Sequence, residues 1–259
     1  MREGVLWSPA DSVRTVIMAR KQTNAMARKQ TDAMAGKQTD ARTRRARVLI
    51  VDDHPIVREG LALLISSQPD LEVCGAAEDV ATAGQLVEEM KPDLAIVDLS
   101  LKGGSGLELI KRIKAKHPSV RILVSSIHDE SVYAERALRA GAMGYVNKQE
   151  ATRTILGAIR RILDGRVYLS ERMADRLLCR AVGGGGDRVE VSPIESLSDR
   201  ELEVFEQIGQ GLSTNEIAAK LHLSSKTVET YRDRIRLKLN LSTGSQLARH
   251  ALLWVLENA

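Results

Sequence analysis

The sequence predicts a doubly wound α/β domain on a five-stranded parallel sheet, followed by a small all-helical unit. Three observations carry this. Five short apolar runs recur from Arg47 onward, and each is followed by a segment of helical period. Alternating β and α elements imply parallel strands joined by right-handed crossovers, with helices on both faces. Four consecutive glycines at 183–186 then form a joint, after which only helical periodicity is found.

The first run, VLIV at 48–51, is β-branched and does not alternate, the pattern of a strand buried on both faces. Strands are expected at 47–52, 71–75, 93–98, 120–125 and 143–147, with helices at 56–67, 79–90, 105–116, 130–140 and 150–164. Beyond 165, SERMADRLLCRAV reads as one amphipathic helix before the GGGG joint. The C-terminal stretch opens with two capping boxes, Ser198 with Glu201 and Ser213 with Glu216, each a hydroxyl at the N-cap and Glu three residues on. A short helix, a tight LHLS turn, a second helix over about 225–240 and a last helix over about 245–258 follow. Ile217, Leu221, Val228, Ile235 and Leu239 supply the inner stripe. The expected division is a leader over 1–46, the α/β domain over 47–165, a linker over 166–196 and the helical domain over 197–259.

Composition narrows the function classes. A chain of 259 residues is the right length for two domains. Its longest apolar run, 251–256, is far too short to span a membrane. No apolar segment near the N-terminus marks secretion, and Cys74 with Cys179 makes neither a disulfide framework nor a metal site. The chain therefore reads as soluble and cytoplasmic. Its net charge of +4 comes from the leader, where ten Lys/Arg face four Asp/Glu. Whole-chain charge is thus no argument for nucleic-acid binding. The leader also holds three copies of an eight-residue repeat, beginning at Met18, Met26 and Met34, with only Ala and Met to bury. It is expected to be a disordered basic tail, and each of those methionines is a candidate start.

In doubly wound sheets, functional groups gather at the carboxyl ends of the strands. Those ends carry Asp52 and Asp53, then Asp98, Ser126 and Lys148. Singly, each has a plain explanation: a strand-end Asp is usually a cap or turn residue, and a lone Lys is usually solvated. Together they place three carboxylates, a hydroxyl and an amine on one edge. Two adjacent like charges repel by about 4 kcal/mol at an effective dielectric of 20. A hard cation resolves that cost, and Mg²⁺ takes a few carboxylates while keeping several waters. Asp52, Asp53 and Asp98 would hold the ion. A free Asp98 oxygen would attack a phosphoryl group, Lys148 would offset charge on the transferring oxygens, and Ser126 would hydrogen-bond the product.

These residues carry a resemblance. RVLIVDDHPIVREGL and GAMGYVNK resemble the receiver domain of two-component response regulators of the NarL/FixJ class, over residues 47–165. The resemblance implies a flavodoxin-like fold and phosphorylation of Asp98 by a sensor histidine kinase. It also implies that Ser126 is the switch hydroxyl and Tyr145 a switch aromatic that turns inward on phosphorylation. Where the family often shows Met-Pro-Gly after the acceptor, this chain has LKGGSG. Lys102 thus replaces the loop proline, and Gly103, Gly104 and Gly106 are expected to loosen the turn. A haloacid-dehalogenase-type phosphatase would need a second Asp two residues beyond the nucleophile, where this chain has Ser100, so that reading lacks its proton donor.

The helical unit resembles the LuxR-type helix-turn-helix over LSDRELEVFEQIGQGLSTNEIAAKLHLSSKTVETYRDRIRLKL. Its second helix is locally basic: over 224–240, Lys226, Arg232, Arg234, Arg236 and Lys238 face only Glu229 and Asp233. Such a helix enters the major groove N-terminal end first. The match assigns Lys226, Thr227 and Arg232 to phosphates, and Glu229, Thr230 and Asp233 to base edges. The last helix would dimerise through Leu247, Ala251, Leu252 and Val255, giving a homodimer when phosphorylated or on DNA. The expected protein is a phosphorylation-controlled transcription regulator, and the resemblance implies that the unphosphorylated receiver can cover the recognition helix until release or dimerisation frees it. Its partners would be a sensor kinase, a double-stranded operator and RNA polymerase, with no membrane. The alternative is a DNA-binding protein independent of phosphorylation, whose receiver is only a dimerisation scaffold.

Overall fold

The computed structural model describes residues 44–181 and 193–257. The leader's repeat, the GGGG joint and the extreme C-terminus lie outside the described residues. In chain order the elements are β1 (Ala46–Val51), α1 (Pro55–Ser66), β2 (Leu71–Ala77), α2 (Val80–Met90), β3 (Leu94–Val97) and a two-residue hairpin, β4 (Ser100–Leu101) with β5 (Gly104–Ser105). Next come α3 (Gly106–Lys116), β6 (Arg121–Ser126), α4 (Glu130–Ala140), β7 (Gly144–Asn147), α5 (Ala151–Leu163) and α6 (Glu171–Ala181). A 3-10 turn (Pro193–Ser196) leads into α7 (Asp199–Gly209), α8 (Thr214–Lys220), α9 (Ser225–Lys238) and α10 (Gly244–Glu257). All five predicted strands and every predicted helix are present, with ends shifted by a residue or two.

The sheet is parallel, in the order β2-β1-β3-β6-β7. The strand order reverses at β1, so the ends of β1 and β3 flank the crevice in which such folds place their ligands. Successive side chains of a strand face opposite ways. Accordingly Val48 and Ile50 pack with Leu61 and Ile65 of α1 and with Ile155, Ile159 and Ile162 of α5. Leu49 and Val51 pack on the other face with Val87 of α2, Ile110 of α3 and Ala134 of α4. All four strand residues are buried to within 1%, each worth about 1.5–3 kcal/mol of transfer free energy. Helix starts are set by side-chain caps: Asp79 accepts from the backbone of Ala81 and Thr82, and Asp129 from that of Ser131.

The segment after α5 is more ordered than a linker reading implies. Tyr168 forms a bridge to Gly144 at the edge of the sheet. The backbone N–H of Ser170 donates to Glu130, and Arg176 of α6 reaches the carbonyl of Ser131 and the carboxylate of Glu195. The hydrophobic cluster on the α2–α4 face continues without a break into Leu202, Phe205 and the rest of the C-terminal core.

Both capping boxes form, on α7 and on α8, with the paired Ser and Glu bonded in both directions. Ile217, Val228, Ile235 and Leu239 are buried as the inner stripe, while Leu221 is only half-buried. Helices α7 and α10 touch backbone to side chain at Gly209, where an added Cβ would collide with Ala251 and Val255.

Candidate functional site

The backbone gathers the rim. The N–H of Asp98 donates to the carbonyl of Val51 at 2.9 Å, setting the end of β3 beside the end of β1. The N–H of Lys148 donates to the carbonyl of Ser126 at 2.8 Å, joining the ends of β7 and β6. Five residues from four strand ends therefore meet, as strand position alone predicts.

Their side chains form a tight electrostatic group. Lys148 Nζ lies 2.7 Å from Asp52 Oδ2 and 2.6 Å from Asp98 Oδ2. Asp52 and Asp98 are each only 2% exposed, whereas Asp53 is half-buried and His54 is exposed. Burial raises the Asp98 pKa above the ordinary carboxylate range, against the pull of the Lys148 ammonium, and the charge of Asp52 adds to the rise. Burial works against the Lys148 charge too, yet Asp98 and Asp52 outweigh it and hold that pKa above the ordinary lysine value. One ammonium thus serves two buried carboxylates.

Asp98 Oδ1 is buried and has no hydrogen-bond partner in the protein. Donor atoms of Asp52, Asp53, His54 and Asp98 all lie within 4.8 Å of one another. The carboxylate oxygens make a hard donor set of the kind that suits a small dication such as Mg²⁺. His54 was not foreseen as a member. Its Nδ1 sits 2.7 Å from Asp53 Oδ1 and 3.3 Å from Asp52 Oδ1. His54 directly follows the two carboxylates in the DDHP run.

One expectation about the switch is revised. Tyr145 is already turned inward: it is 1% exposed, and its hydroxyl donates to the carbonyl of His128 at 2.8 Å. The glycines after Asp98 have defined places in the backbone. They turn the β4–β5 hairpin, with Gly103 at φ +75°, and Gly106 lies so close to the Asp98 and Leu99 backbone that an added Cβ would overlap it. Ser126 is fully buried, and its hydroxyl accepts from the His128 N–H at 3.4 Å.

A second polar cluster lies between the rim and α7, and residue patterns did not point to it. Glu206 of α7 is 8% exposed and accepts a short hydrogen bond from the Tyr133 hydroxyl. His128 Nδ1 lies 3.3 Å from the same Glu206 oxygen, and His128 Nε2 lies 2.8 Å from Ser100 Oγ. Burial pushes the Glu206 pKa up, against the pull of His128 and the Tyr133 hydroxyl. Nearby, Asp199 bridges Arg136 at 3.0 Å and Lys111 at 2.9 Å. The helix gives no sequence signal for it: α7 carries Asp199, Glu201, Glu203 and Glu206 alike, and only the packing of the fold buries Glu206.

The helix-turn-helix is pinned by Ser224, which caps α9 through the Thr227 N–H, and by Ser225, which donates to Asn215 of α8 at 2.8 Å. Lys226, Glu229, Thr230 and Asp233 are exposed, while Thr227 and Arg232 are half-buried. The recognition face is therefore open to solvent, not covered by the receiver. Two of the local cations are spent within the protein, Arg236 on Asp233 at 2.5 Å and Lys238 on Glu201 at 2.6 Å. The dimer set divides. Leu247 and Ala251 are fully buried in the domain core and offer nothing to a partner, Val255 is half-buried, and Leu252 is exposed beside Leu253 and Leu256.

Comparison with known proteins agrees with both halves. Residues 48–160 match the response regulator receiver domain, and residues 195–251 match the bacterial regulatory proteins of the luxR family. Oxygen regulatory protein NreC of Staphylococcus carnosus (strain TM300) is 35% identical over 209 residues, 80% of this chain and 96% of that protein. RcsB from Salmonella enterica serovar Typhimurium, solved on promoter rprA with the phosphomimetic BeF3⁻, aligns at a TM-score of 0.60 and 29% identity, covering 80% of this chain and 98% of that one. A LuxR-family two-component response regulator from Aurantimonas sp. SI85-9A1 aligns at 0.50 and 38% identity, covering 54% of this chain and 99% of that one. Among the described residues, no helix is long and apolar enough to cross a membrane.

Proposed function

From the premise that this chain belongs to the two-component response regulators with a luxR-family DNA-binding domain, we propose that Asp98 is the phosphoacceptor and that its phosphorylation governs binding of α9 to duplex DNA. The protein is a DNA-binding transcription regulator and not a conventional enzyme. The reading is carried by the division of labour on Asp98: Oδ2 is taken by Lys148 while Oδ1 is free.

In that reading Asp98 Oδ1 attacks the phosphorus of a sensor kinase's phosphohistidine. A new O–P bond forms as the N–P bond breaks, and the electron pair leaves on the imidazole nitrogen. Lys148 offsets charge on the transferring oxygens, since positioning and electrostatics dominate phosphoryl transfer. Asp52, Asp53 and Asp98 would hold Mg²⁺, which when bound supplies further positive charge at that point. Ser126 then bonds a product oxygen. With Tyr145 already inward, its part is to lock the rearranged β6–α4 loop in place. Cytoplasmic residence follows from the need to meet both a kinase and DNA.

On DNA, Lys226, Thr227 and Arg232 would bind phosphates, and Glu229, Thr230 and Asp233 would face base edges. RcsB was solved bound to promoter DNA, which supports DNA binding by this chain. A homodimer would use the exposed Leu252, Leu253 and Leu256 side of α10. A scaffold independent of phosphorylation needs no buried pair of carboxylates, which disfavours that alternative. The test is Asp98→Ala in the full chain: acetyl phosphate with Mg²⁺ should raise operator affinity of the natural protein and leave the variant unchanged. An equal rise in both would remove Asp98 from the switch.

A further inference from the structure

A cleft of about 860 Å³ opens between the acceptor rim and the DNA-binding half. Its receiver wall includes Asp53, Ser100 and His128, and its opposite wall includes Glu206, Gln207 and Lys220. That volume falls in the range of about 300–1,000 Å³ typical of small-molecule sites, and the cleft is lined on one side by Leu99 and Ser100, next to Asp98, and on the other by Glu203, Glu206 and Gln207 of α7. His128 bridges the two walls. One ring nitrogen meets Ser100, two residues beyond Asp98, and the other meets the buried Glu206. The His128 ring also lies 4.7 Å from the Tyr133 ring, and its carbonyl accepts from Tyr145. The ring thus meets a hydroxyl on the receiver wall and a carboxylate on the opposite wall. Nothing in the phosphoryl-transfer chemistry above uses Glu206, yet a carboxylate this deeply buried persists only if bonded on both sides.

We infer that Glu206, a residue of the DNA-binding half, is a positioning residue of the acceptor rim: through His128 it holds Ser100 and α7 across the cleft and so limits how readily a small acyl phosphate reaches Asp98. This rests on Asp98 being the acceptor. The direction of control is the reverse of the usual one, since here the output half sets the reactivity of the input site. When α7 is docked, the donor must enter a cleft whose walls are clasped together. When the clasp opens, the same chemistry proceeds on an uncovered rim. Donor affinity therefore scales with the open fraction, while the rate at saturating donor does not. By linkage, whatever draws α7 away raises donor affinity by the same factor that donor binding draws α7 away.

The test measures phosphorylation of the full chain on phosphate-affinity gels as acetyl phosphate is varied at fixed Mg²⁺. Glu206→Gln keeps the size and the acceptor oxygen but loses the charge. Tyr133→Phe removes the hydroxyl from the receiver side and preserves the volume. Both should lower the half-saturating acetyl phosphate concentration, by about fivefold for a coupling at the weak end of the usual range, with the maximal rate unchanged. Arg139→Ala, on the exposed side of α4, should behave as the natural protein. Half-saturation unchanged in both clasp variants, or a loss confined to the maximal rate, overturns the inference. Label that persists in Asp98→Ala instead overturns the acceptor assignment, and the inference with it.

Discussion

Asp52 and Asp98 are 2% exposed and share one lysine, whereas the charged side chains of α9 stand largely in solvent. At the rim, like charges are forced together where water cannot screen them, so each depends on a counter-charge. On α9 the charges are spaced around a helix and most are hydrated, while Arg236 pairs with Asp233 and Lys238 with Glu201. The rim stores electrostatic energy that a phosphoryl group can redistribute. The recognition helix stores none and is ready to meet the field of a duplex. In the proposed function, charge is a switch in one place and an address in the other.

The sharpest way to break this comparison is to remove the shared cation. Lys148→Met leaves two buried carboxylates uncompensated and should cost about 3–5 kcal/mol in urea unfolding, part of it recovered by added Mg²⁺. A loss under about 1 kcal/mol, the size of an exposed pair, would mean the rim is no more strained than the surface. On α9 the matching change is Glu229→Lys. It should leave stability within about 0.5 kcal/mol while changing the preferred base pair by about 1–3 kcal/mol of discrimination. Identical sites recovered by selection with both proteins would detach Glu229 from base reading.

Two of the four acids of α7, Asp199 and Glu206, give a smaller, pH-resolved test. Burial favours the neutral form of Asp199, but Lys111 and Arg136 outweigh it and hold the pKa below the ordinary range. A depressed acid contributes stability above its unfolded pKa and loses it as pH falls through the folded one. Glu206 is shifted upward by burial, so its contribution is complete below the unfolded pKa and is lost as pH rises through the folded value. The stability gap between the natural protein and Asp199→Asn should therefore shrink toward acid, and the gap for Glu206→Gln should shrink away from it. Parallel urea midpoints across pH would show that the two acids share one environment.

The match between pattern and fold was closest where burial is complete. VLIV and LAIV could only be central parallel strands, and the carboxyl ends of those strands had to converge. The Ser-x-x-Glu boxes marked two helix starts because capping is local chemistry. Dimer residues were harder. Leu247 and Ala251, four residues apart, and Leu252 and Val255, three apart, all fit one helical period, which cannot tell an inward apolar face from an outward one. Likewise no local rule foresaw that Tyr145 would already be buried, or that LKGGSG would close into a hairpin.

Sequence alone determined the two-part architecture, the acidic rim with its lysine, and the helix-turn-helix, because each depends on periodicity, strand ends or short motifs that adjacent residues encode. Tertiary structure alone decided which Asp98 oxygen is free, that Glu206 meets His128 and Tyr133, and which side of α10 is exposed. The partners of Glu206 are 73 and 78 positions away along the chain, and contacts at that separation are set by how two domains pack, which no window of residues contains.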